Sequence, residues 1–177
     1  ALWELGTVEV TEQVVGYDRL LPPAMEIVGH YALEMPERTL RTTAAWWSLP
    51  PEATGVERAD LGGALHAAEH ASIGVLPLLA TCDRWDVGGL SIADHPDTGA
   101  PTVFVYDGYP GGAGFAERGF EKARAWLEAT LAVIEECPCE DGCPACVQSP
   151  KCGSNNSPLS KDGAAELLRA VLAGAPA

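Results

Sequence analysis

Residues 136–153, ECPCEDGCPACVQSPKCG, decide how the chain is read, because five of its six cysteines stand here: Cys137, Cys139, Cys143, Cys146 and Cys152. Pairing such close neighbours as disulfides would shut very small loops, which gain little chain entropy and strain the backbone. The count is odd, and no secretory leader is expected ahead of it. Clustered cysteines in a reducing compartment commonly bind metal, so a cytoplasmic, metal-binding chain is the expectation. In CPAC two residues separate Cys143 from Cys146, the reach of a turn that aims two sulfurs at one ion. Zinc takes four thiolates at about 2.3 Å in a tetrahedron. CPCEDGC supplies two more sulfurs, and Gly142 permits the tight return. The preferred ligand set is Cys137, Cys139, Cys143 and Cys146, holding one structural zinc ion. Cys152 could take the place of Cys137 or Cys139. An iron–sulfur cluster also uses four cysteines, and spacing does not separate it from zinc.

The 177 residues, 47% of them hydrophobic, suit one compact domain over 1–177. The chain opens inside an expected strand without an initiator Met, as a piece of a longer protein would. No apolar run approaches the roughly 18 residues of a membrane span, so no membrane partner is expected. The formal net charge is −14, and four thiolates with one divalent ion would deepen it. Affinity for nucleic acid comes mostly from Lys and Arg neutralising phosphates. This stretch on its own should therefore bind DNA or RNA weakly. All three lysines, Lys122, Lys151 and Lys161, lie in the last third. They are read as solvated charges or as a local basic patch near the cysteines.

Working outward, residues 1–59 read mainly as strands: TVEVTEQVVGYDRL and PERTLRTTAAWWSLP are rich in Val and Thr, and Pro50 and Pro51 close the second run. Trp46 and Trp47 fall on opposite faces of a strand, so one should be core. Residues 60–136 read as helix, hairpin, helix. RADLGGALHAAEHASIGVLPLLATC carries a helical pattern after Asp60 as cap, broken near Pro77. GGLSIADHPDTGAPTVFVYDGYP reads as a hairpin, and Phe115 to Glu136 as one long amphipathic helix. The metal loop spans 137–153, and a last helix, capped by Ser160, covers 160–173. The fold class is α+β: an antiparallel sheet with helices on one side and a C-terminal four-cysteine loop between two helices. Ordering such a polar loop has a large entropy cost, which metal binding offsets.

Two further motifs carry chemistry. HAAEH, His66 to His70, matches H-x-x-E-H, in which two histidines bind zinc and the Glu activates water. On a helix apolar nearly all round, the alternative is a buried polar network in which His66, Glu69 and His70 satisfy one another or acids such as Asp86 and Asp107. YDGYPGGAGF looks like a phosphate cradle but lacks G-x-x-x-x-G-K-[ST], and Asp107 would repel phosphate. A tight strand-to-helix turn is the preferred reading. Cys82 reads as a small core residue.

Three blocks, GALHAAEHASIGVLPLLATCDRWDVGGLS, VFVYDGYPGGAGFAERGF and CPCEDGCPACVQSPKCGSNNSPLSK, together resemble the C-terminal MrfA-associated zinc-binding domain of MrfA-type superfamily-2 DNA helicases. The resemblance runs from about residue 40 to about residue 172. It implies an accessory piece of an ATP-dependent, DEAD/DEAH-box 3′–5′ DNA repair helicase, with the family's four zinc ligands matching Cys137, Cys139, Cys143 and Cys146. It also implies the helicase motor domains of the same parent chain as partner, and single-stranded DNA in the full-length protein. ATP and Mg2+ would belong only to those motor domains, since no phosphate-loop Lys and no D-E-x-H box occur here. A structural, DNA-path-forming part without catalysis follows. A stand-alone zinc module for protein interaction and an H-x-x-E-H metallohydrolase are the alternatives.

Overall fold

A computed structural model describes residues 1–174. The elements run β1 (Leu2–Glu12), β2 (Gly16–Leu21), β3 (Glu26–Ala32), β4 (Arg38–Ser48), a 3-10 turn (Pro51–Ala53), α1 (Leu61–Val75), α2 (Pro77–Ala80), β5 (Val87–His95), β6 (Ala100–Asp107), α3 (Phe115–Glu121), α4 (Ala123–Glu136) and α5 (Lys161–Ala173). This is an α+β fold. Its main sheet has the order β1-β4-β6-β5, every pairing antiparallel, and β2-β3 form a separate two-stranded sheet.

Register explains how one face of the main sheet becomes core. Trp3 pairs with Trp47 and Leu5 with Ala45; across the next ladder Trp47 meets Val103 and Ala45 meets Val105. Alternation puts all six on one side. Trp47, Ala45, Val103 and Val105 are buried there, against α1, α3 and α4. The opposite face carries Trp46, whose Nε1–H donates to Glu4 Oε2 at 2.9 Å and whose ring lies 5.4 Å from that of Phe104. The adjacent tryptophans therefore divide as expected, Trp47 to the core and Trp46 to a half-buried outer row.

α1 is buried nearly all round, with Ala64, Leu65, Ala67 and Ala68 fully enclosed between the sheet and α5. α5 turns Leu167, Leu168 and Val171 inward against it. Burying each such Leu contributes about 1.5–3 kcal/mol. Ser160 caps α5 by accepting from the Gly163 N–H. Asp60 makes no such bond at the start of α1: its backbone is already helical (φ −98°, ψ −11°), where a capping residue takes extended angles.

The helix expected over 115–136 is two. At Lys122 the backbone leaves the helical region (φ −114°, ψ 28°). Gly119, a weak helix former, lies under the Trp126 ring at this break. Trp126 is itself buried and donates through Nε1 to Ser72 O at 2.9 Å. β1 and β4 continue past the end of β6 as a two-stranded ribbon, with the β2-β3 hairpin in their connection. Tyr17, Leu21, Met25, Ile27, Val28 and Tyr31 of this region are exposed.

Candidate metal centre

α4 ends at Glu136, and α5 begins at Lys161. The segment between them has no regular structure, yet it folds back on itself. Gly142 makes the reversal: its φ is +102°, and a Cβ there would stand 2.4 Å from Val147 Cγ2. No other residue fits that combination. The return brings four sulfurs together at α4's C-terminal end. Cys137 Sγ lies 3.5 Å from Cys139 Sγ and 3.5 Å from Cys143 Sγ; Cys146 Sγ lies 3.5 Å from Cys139 Sγ and 3.8 Å from Cys143 Sγ.

These separations identify the chemistry that fits. A disulfide would need about 2.05 Å. Four thiolates about 2.3 Å from one ion, at tetrahedral angles, stand about 3.8 Å apart. All four sulfurs lie within 4.8 Å of one another. A multi-iron cluster would spread its cysteines wider, because the cluster body sits between them. The group thus has the size and softness for a single zinc ion. Its surroundings match. The Cys143 N–H donates to Cys146 Sγ at 3.3 Å. Lys161 Nζ donates to Cys137 O and to Cys139 O, placing a cation beside a centre that would carry net negative charge. Burial pushes the Cys146 thiol up to about 12, so an ion entering here must displace its proton.

Cys152 stands outside this group. Its sulfur is 3.4 Å from His66 Nε2 and accepts from the Asn156 N–H at 3.2 Å. The side chains of the H-x-x-E-H residues make no hydrogen bond to one another or to Asp86 or Asp107, the network expected of them, although the His66 and His70 rings meet edge-on with centroids 4.3 Å apart. His66 Nδ1 meets Pro158 O at 2.9 Å and His70 Nδ1 meets Val147 O at 2.8 Å, both carbonyls of the cysteine segment. Glu69 instead turns to the sheet, where Ser91 Oγ donates to it at 2.6 Å. It reaches β5 only because residue 89 is glycine, whose added Cβ would lie 2.6 Å from Glu69 Oε1. Burial lifts the Glu69 carboxyl to about 7 and lowers His70 from its ordinary value.

Asp107, expected to repel phosphate, itself fills the anion position of the glycine-rich turn. Its carboxylate accepts from the N–H groups of Ala113, Gly114 and Ala116, at the start of α3. The lysines near the cysteines are not a free basic patch. Lys151 Nζ donates to Arg84 O and Val87 O, and Lys161 is held as described. No described helix is long and apolar enough to cross a membrane.

Known proteins resemble this chain in sequence and in overall fold. The profile of the MrfA Zn-binding domain matches residues 68–147. The uncharacterized ATP-dependent helicase YprA of Bacillus subtilis is 33% identical over 142 residues, covering 80% of this chain but 19% of that protein. The chain therefore spans about a fifth of that relative's length. The uncharacterized protein MJ1572.1 of Methanocaldococcus jannaschii is 36% identical over 111 residues, 61% of this chain and 99% of that protein. A crystal structure of the DUF1998 helicase MrfA bound to DNA superposes with a TM-score of 0.70 at 30% identity, over 96% of this chain and 22% of that one. On these matches this chain belongs to the MrfA Zn-binding domain family.

Proposed function

We propose that residues 1–177 form one zinc-binding accessory domain of an ATP-dependent 3′–5′ DNA helicase that serves DNA repair in the cytoplasm. In this reading Cys137, Cys139, Cys143 and Cys146 hold one zinc ion between α4 and α5. The ion's task is structural: it fixes where α5 leaves the loop and packs on α1. ATP and Mg2+ belong to motor domains elsewhere in the parent chain, and this domain docks on them and lines the path of single-stranded DNA. The observation that carries the reading is the set of four sulfurs at tetrahedral separations, in a chain that matches about a fifth of a helicase.

Two features support a supporting role. The net charge of −14 disfavours a primary grip on phosphate. The ribbon and its hairpin expose apolar side chains, which suits docking on the remainder of the parent chain. The test is to compare the parent helicase with and without Cys143→Ser. ATP turnover that survives while unwinding falls supports a structural accessory part. Turnover by the 177-residue chain alone would contradict it. A second reading, a stand-alone zinc module that binds a protein partner, is favoured by the Methanocaldococcus jannaschii relative, nearly all of which is this domain. In that case the chain would act without any motor in cis.

A further inference from the structure

The residues left over from the four-cysteine group form a second constellation. His66 and His70 sit one turn apart on α1, and Cys152 comes from the cysteine segment facing them. One ligand atom from each lies within 4.8 Å of the other two. The tautomers follow from the partners. A backbone carbonyl only accepts, so the Nδ1 atoms facing Pro158 O and Val147 O must carry protons. Each neutral ring then keeps its lone pair on Nε2. Zinc-bound histidines are commonly oriented by such an Nδ1–H···O=C bond.

The thiol is also fixed in place by its neighbours. Asn155 and Asn156 take the left-handed conformation, at φ +56° and +57°, which Asn tolerates. That turn lets Asn156 Oδ1 accept from the Ser149 N–H at 2.7 Å while its own N–H donates to Cys152 Sγ. Ser154 Oγ lies 3.2 Å from the same sulfur. These contacts hold the sulfur facing α1. A buried carboxylate belongs to the surroundings too. Glu69 lies between the two histidines in sequence and lines the same cavity of about 600 Å³. Ser91 gives it its one hydrogen bond among the described residues. A cation near it would compensate its desolvation.

We propose that His66 Nε2, His70 Nε2 and Cys152 Sγ form a second metal site, which takes one zinc-class divalent ion and leaves its fourth position open to the cavity for water. Two imidazoles and a thiolate are a borderline-soft donor set suited to zinc. Binding releases the Cys152 thiol proton to solvent. The site ties the 147–158 segment to α1, from the side opposite the carbonyl bonds that the histidines already make. It shares no ligand with the four-cysteine group, so Cys152 can be removed without taking a sulfur from that group.

The test counts zinc in the 177-residue chain, loaded with excess zinc and passed over a weak chelating resin. Two ions per chain are expected, falling to one in Cys152→Ser and in the double variant His66→Gln, His70→Gln. One ion in the unsubstituted chain, or two in both it and Cys152→Ser, overturns the proposal. A readout that needs no variant is alkylation of Cys152 in the unsubstituted protein, followed by peptide mass spectrometry. Zinc should slow it about tenfold or more, because a metal-bound thiolate is a poor nucleophile. Equal rates with and without zinc would refute the site.

Discussion

The two ends of this molecule obtain their order in opposite ways. At one end, the segment from Cys137 to Ser160 is polar and irregular, and few of its side chains reach the core beyond Cys146 and Val147. Its shape comes from specific chemistry: four facing sulfurs, the Gly142 reversal and Lys161 on two carbonyls. At the other end, the β1-β4 ribbon and β2-β3 hairpin have regular ladders and little burial. There the backbone pairs along these ladders, but apolar side chains such as Ile27, Val28 and Tyr31 face water. Under the proposed function, one end is completed by an ion and the other by a protein surface. The first should matter for stability in isolation, the second only in the assembled parent.

Substitutions can break or sharpen this contrast. The largest effect should come from Cys143→Ser. Structural zinc supplies on the order of 10 kcal/mol, so the variant should lose its ion and most of the cooperative melting of α4 and α5. Calorimetry beside metal analysis checks this, and an unshifted melting curve would remove the ion from the account. Next comes Lys161→Met, which strips a charged donor from the Cys137 and Cys139 carbonyls. A loss of about 1.5–3 kcal/mol is expected, with zinc affinity lower by about 10–100-fold in chelator competition. Gly142→Ala should cost about 1–3 kcal/mol, because it meets Val147 and an unfavourable φ together; chemical denaturation measures it. The smallest effect belongs to the other end. The double variant Ile27→Thr, Val28→Thr should stay within about 0.5 kcal/mol of the unsubstituted chain. The same change in the parent helicase should lower unwinding. A large loss of stability in the isolated chain would mean the hairpin is part of the core.

What could be read from residues alone followed the same division. The four-cysteine group was legible because its partners lie within ten positions, where spacing and turn chemistry suffice. The inner sheet face was legible in part, since adjacent tryptophans must separate. Other features depend on contacts distant in sequence. The break at Lys122 arises because Trp126 covers Gly119 and reaches Ser72 on α1. His66 and His70 find their partners at Pro158 and Val147, not among the acids nearer in sequence. The position of Cys152 beside His66 spans 86 residues, and no local pattern announces it. Asp107 serves as the turn's own anion, a role visible only once the strand and helix meet.

The central claim is that four sulfurs grip one zinc ion at the junction of α4 and α5. Its most direct test uses protein carrying Cys152→Ser, so that only the four-cysteine group is in play, with elemental analysis and visible absorption measured on the same sample. The account predicts a colourless protein with one zinc ion per chain, lost when Cys143→Ser is added. A brown protein containing iron and sulfide, or a metal-free protein with the same melting curve, would contradict it.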